Sequence, residues 1–167
     1  MMKKNTLIKG LLVIAALMGY VHLFSQKDTG SFDRQSLYTA LSSNSTAKID
    51  QQLALVKQTN LTEKNAFEGA LLMKKSGMIS GPGKKLSMFK EGSEKLEKAI
   101  SNDSENAEYR FLRLMIQENA PSLLGYNDDI KTDSELVRRS YKKLPQDVQH
   151  AVVNYSKTSK SLRISDL

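Results

Sequence analysis

The sequence predicts an all-α fold: helical hairpins packed as a small helical-repeat or bundle domain of about seven helices, behind an N-terminal signal segment. Three observations carry this. Apolar residues beyond residue 25 recur at spacings of three and four, no stretch alternates as a strand does, and short Ser/Asn- or Gly/Pro-rich breaks separate the periodic runs. A length of 167 residues with 40% hydrophobic and 26% charged content suits one globular domain.

The N-terminus has the three parts of an export signal. "MMKKNTLIKG" is basic, "LLVIAALMGYVHLF" is apolar, and "SQKDTG" turns polar at once. The apolar run is short against the roughly 20 residues that cross a bilayer. Cleavage is expected after the small Ser25. The alternative is an uncleaved anchor that leaves the body facing the periplasm, which the positive-inside rule also favours. The expected organisation is therefore a signal peptide over 1–25, one helical domain over 26–160 and a polar tail over 161–167, in a periplasmic or secreted protein. No cysteine is present, so neither a lipid-attachment cysteine nor a disulfide framework is available, and packing alone must hold the domain.

The elements follow in order. Phe32 to Leu41 is a short helix, and Ile49, Leu53 and Val56 mark a second, capped from "SSNST". Thr62 is the expected cap of a third helix, which carries Phe67, Ala70, Leu71 and Met73 and stops at Gly77. "SGMISGPGKK" is then a loop. The fourth helix aligns Leu86, Phe89, Ser93, Leu96 and Ile100 in one stripe, with Gly92 and Ala99 beside it and charged residues opposite. "SNDSEN" turns into a fifth helix that "APSLLGYNDD" closes. Val137, Tyr141 and Leu144 form a sixth helix, and Pro145 suits the first turn of a seventh containing Val148, Ala151, Val152 and Tyr155.

Gly92, Leu96 and Ala99, followed by "ISNDSENAEYRFL", resemble the second helix and junction of a tetratricopeptide repeat, with Phe111 and Leu114 in the bulky positions of the next helix. The likeness spans about residues 67–118. It departs from the family at Ser104, where proline is usual, at Met115, where a small residue is usual, and in the extra loop around Gly81 to Gly83. No second copy stands at the family's period. The resemblance implies paired helices with a partner groove near Tyr109, Leu112 and Ile116. The whole chain is also similar to small signal-bearing helical proteins of Gram-negative bacteria, which implies export and a binding or scaffold role.

Composition and motifs argue against most chemistries. The net charge of +7 falls to +4 once residues 1–25 are removed, and the remaining charges of both signs are interspersed, as in "FKEGSEKLEK", so no nucleic-acid partner is expected. His150 is the single histidine after the signal and has no cysteine to join it in a zinc site. "NDDIKTDSE" has the acids of a calcium loop, but Thr132 stands where glycine is needed, so it reads as a helix start with acids in its first turn. Ser45/Lys48, Ser87/Lys90 and Ser140/Lys143 have the spacing of acyl-serine enzymes, at the frequency chance gives for 19 serines and 19 lysines. Gly77, Gly81 and Gly83 follow no strand and make no phosphate loop. No catalytic residue, metal or cofactor is expected.

One stripe stays ambiguous. On the fifth helix Asn106, Arg110, Arg113 and Gln117 share a narrow sector, while apolar residues fill most of the rest. Either these arginines pair with acids such as Glu94, Glu97, Asp128 or Asp129, or Arg110, Arg113 and Gln117 receive an anionic ligand in their forked donors. The function expected is that of a non-enzymatic protein-protein interaction or scaffold module of the cell envelope. The alternatives are a small-ligand or anion-binding protein or enzyme centred on Arg110 and Arg113, and an inner-membrane-anchored assembly factor touching the membrane only through its N-terminal segment.

Overall fold

The computed structural model describes residues 32–167, so the expected signal peptide and its cleavage point lie outside the described residues. Among the described residues the fold is all-α, with seven α-helices and no strand. The helices are α1 (Arg34–Ser42), α2 (Thr46–Gln58), α3 (Lys64–Ser76), α4 (Pro82–Asn102), α5 (Ala107–Gln117), α6 (Ile130–Ser140) and α7 (Gln146–Ser156). Short 3-10 turns stand at Ser122–Leu124, Tyr141–Lys143 and Ile164–Asp166. No helix of the described residues is long and apolar enough to cross a membrane.

Local chemistry accounts for the helix starts. The carboxylate of Asp33 accepts from the backbone N–H of Gln35 and Ser36 and caps α1, the hydroxyl of Ser45 accepts from Lys48 N–H and caps α2, and Asn106 Oδ1 accepts from Glu108 and Tyr109 N–H and caps α5. Asn106 is therefore a cap rather than a member of the helical stripe. Helix α3 begins later than the Thr62 cap implies, with Glu63 before its first turn and no side-chain cap. Helix α4 begins earlier than expected: Pro82 suits its first position, so the connector is shorter and Gly83, Lys84 and Lys85 are helical.

Two backbones meet at the α3–α4 crossing. A Cβ on Gly69 would lie 2.6 Å from the carbonyl oxygen of Gly92, and one on Gly92 would lie 2.7 Å from that of Gly69. Only glycine at both positions allows this approach, because the obstructing atoms are backbone and cannot rotate away. Helix α5 packs against α3, α4, α6 and α7 and is buried along nearly its whole length. Phe111, its most enclosed aromatic, lies between Tyr38 of α1 at 5.6 Å and Tyr155 of α7 at 5.7 Å. At the other end of α1, Arg34 bridges Glu63 at 2.5 Å and Glu108 at 3.1 Å, and Tyr38 donates to the same Glu108 oxygen, tying α1 to α3 and α5. Burial raises the pKa of Glu108, against the lowering effect of Arg34 and Tyr38.

The segment after α7 is docked against the helical body. Leu162 is 0% exposed, and the carboxylate of Glu118 accepts from Ser161 Oγ at 2.5 Å, Ser161 N–H at 2.8 Å, Ser159 Oγ at 2.8 Å and Tyr155 Oη at 2.5 Å. Burial alone would raise the Glu118 pKa, but the hydrogen bonds from Ser161, Tyr155 and Ser159 outweigh it and hold the group below its ordinary range. A carboxylate whose folded pKa is lowered stabilises the fold above its unfolded value, and loses that effect as pH falls through the folded one. Hydrogen exchange of the Ser161 and Leu162 amides, corrected for intrinsic rate, should therefore be slow at neutral pH and quicken below about pH 4. Glu118→Gln should remove most of that pH dependence; protection in the unaltered protein that is indifferent to acid would contradict the latch.

Candidate functional site

The arginine stripe forms a buried ion-pair seam. Asp133, in the first turn of α6, is 0% exposed and takes both branches of the Arg113 fork, Nε at 2.7 Å and Nη2 at 2.8 Å. Arg110 Nη1 donates to the same carboxylate at 3.0 Å and its Nε to the Ser104 carbonyl. The remaining arm of Arg113 meets Glu97 at 2.9 Å and Asp129 at 3.0 Å. Burial works to lower the Arg113 pKa, but the hydrogen bonds and charges of Asp133, Glu97 and Asp129 prevail and raise it. Both arginines are thus occupied by protein acceptors, the geometry of a structural seam rather than of donors held ready for a ligand. Glu97 and Asp129 stand among the acids expected to pair, while the dominant partner is Asp133. Gln117, the third residue of the expected ligand set, is buried with its Oε1 unpaired.

The seam extends toward the surface. Tyr126 donates a short hydrogen bond to Glu97, and its ring stands edge-on to Phe89 of α4 at 5.4 Å. This fastens the α5–α6 connection, residues 118–129, against α4. That connection carries Leu123 and Leu124 in its 3-10 turn, and both border an open groove of about 900 Å³.

The groove is built from the ends of several helices. Leu112, Met115 and Ile116 of α5 meet Met73 of α3 and Phe89 of α4 along it, and Met78, Leu86, Leu123 and Tyr155 border it as well. Two of these side chains are poorly covered, Leu86 at 45% and Leu123 at 95% exposure. Leu86 was expected in the buried stripe of α4, but it lies in the early turns of that helix. The buried set is Phe89, Gly92, Leu96, Ala99 and Ile100. Leu112 and Ile116 line this groove, and Tyr109 is buried away from it. The charged residues on the lining are Lys74 and Lys85, with no acid.

Other constellations stay apart. His150 is exposed on α7, and no cluster of three or more potential metal-ligating His, Cys, Asp or Glu side chains occurs among the described residues. No protein-family model, curated protein or solved structure matches the chain.

Arg113→Ala would leave Asp133 charged and without its principal partner in the interior, so the unfolding free energy in urea should fall by about 3–5 kcal/mol. Arg139→Ala, which removes an exposed pair with Glu105, should change it by less than about 1 kcal/mol. Equal effects of the two substitutions would show that the seam contributes no more than a surface pair.

Proposed function

We propose that the protein is an exported, non-catalytic binding module of the cell envelope that docks a segment of another protein in the groove between α3, α4, α5 and the α5–α6 connection. The observation that supports this best is the apolar groove with Leu86 and Leu123 exposed at its border. Large side chains left in water beside a concave apolar surface mark an interaction site, because covering them removes apolar area from water at about 25 cal/mol per Å². Met73, Met78 and Met115 add flexible, polarizable surface suited to receiving helical side chains.

The likeness to tetratricopeptide repeats points the same way, since paired helices in that family present surfaces to peptides, and Leu112 and Ile116 fall at the positions it implies. Export rests on the basic, apolar and polar order of residues 1–31. A ligand site on Arg110 and Arg113 finds less support, because their donors already serve Asp133, Glu97 and Asp129.

A photo-cross-linking residue placed at position 123 in cells should join the protein to a periplasmic partner, and the same residue at position 98, exposed on α4 outside the groove, should not. Loss of the adduct in a Leu86→Glu variant whose stability is unchanged within about 0.5 kcal/mol would complete the result. Adducts formed equally from both positions would contradict docking at the groove.

A further inference from the structure

From the charges around this groove we infer that its occupant is an amphipathic helix with acidic flanks, whose apolar stripe lies on the groove floor while its carboxylates meet Lys74 and Lys85. The inference rests on the docking reading above and names the chemistry of the partner.

The lining carries two cations from two different helices, α3 and α4, and no carboxylate. Of the nearby lysines, Lys75 pairs with Asp50 and Lys95 with Glu68, while Lys84, next to Lys85, adds a further cation without an ion-pair partner among the described residues. Neither Lys74 nor Lys85 has an ion-pair partner among the described residues. Burial lowers the Lys74 pKa with no carboxylate to offset it, so its ammonium gains from an incoming anion. The start of α4 adds to the same field. Its N-cap is Gly81, which offers no side-chain acceptor, and its first turn holds no acid, so the positive end of the helix dipole beside Pro82 and Lys85 is uncompensated. A basic helix would meet repulsion here, and a neutral one would leave the partly buried Lys74 without a counter-charge.

The two cations decide for a helix over a single acyl chain, which an anionic amphiphile would also offer. An acyl chain has one terminal carboxylate for two lysines that stand on different helices, whereas an acidic amphipathic helix carries carboxylates on both sides of its apolar stripe. Residues of such a helix at spacings of three, four and seven would face the methionines and Phe89, with acidic residues one position round.

Two synthetic 16-residue helices with one leucine stripe, flanked by Glu in one and by Lys in the other, provide the probes. They are titrated by fluorescence anisotropy into the protein purified in its exported form. The acidic helix should bind about tenfold tighter or more, a margin that shrinks as salt rises. The Lys74→Glu, Lys85→Glu double variant, checked for helix content by circular dichroism, should reverse the order. Equal binding of the two probes, lost together in Leu86→Glu, Leu123→Glu, would overturn the charge assignment while leaving the docking site standing. Binding of palmitate with neither helix bound would overturn the helical occupant, as would sedimentation showing a dimer that Leu123→Glu dissociates.

Discussion

The carboxylate of Asp133 has no water to turn to. It sits in the first turn of α6 at no measurable exposure, and an isolated charge there would cost several kcal/mol, so its position depends on the Arg113 fork and on Arg110 beside it. The constraint works in both directions, since Arg113 is itself buried and requires the acids of α4, α6 and the preceding connection. Four parts of the chain are thereby tied to one guanidinium: α4 through Glu97, α5 through the arginine itself, the connection through Asp129 and α6 through Asp133.

In the docking reading proposed above, recognition falls to a neighbouring place. Glu97 is shared between Arg113 and Tyr126, and Tyr126 in turn packs its ring against Phe89, so the ionic interior passes continuously into the apolar wall of the groove. Leu123 is held at that wall by a connection anchored through Tyr126 and Asp129. On this reading the arginines act on binding only by positioning, and groups that touch a partner are those left unserved, the leucines and the two lysines. A second anchoring, Glu118 against Tyr155, Ser159 and Ser161, steadies the end of the chain beside the same groove.

Much of the fold was legible in the sequence, because helical periodicity and helix-breaking turns are local signals. Seven helices were expected and seven are described, with Pro145 and Gly77 close to the boundaries their chemistry implies. Less legible was whatever depended on which helix lies against which. Asp133 reads locally as an acid favoured by a helix N-terminus, and only the meeting of α5 with α6 makes it the partner of two arginines. Leu86 continues the stripe of α4 in sequence, yet in space it has left its neighbours. Leu162 sits among "SKSLRISDL", and a polar context outweighed a single apolar residue whose burial is due to the hydroxyls beside it. The one available sign of the groove was "PSLLG", two leucines in a turn that needs none.

The separation of a structural seam from an adjacent binding surface is tested most directly by replacing the ion pair with apolar residues of similar volume, Arg113→Met with Asp133→Leu. In the double variant neither buried charge is left without the other, Arg110 keeps its bond to the Ser104 carbonyl, Glu97 and Asp129 are 40% and 45% exposed and can turn to water, and the net charge is unchanged. Urea denaturation together with titration of the acidic helix probe should show stability within about 1–2 kcal/mol of the starting protein and affinity close to it, while each single substitution is far more damaging. A double variant that folds with full stability but no longer binds the probe would contradict the account, and would return the arginines to the site itself.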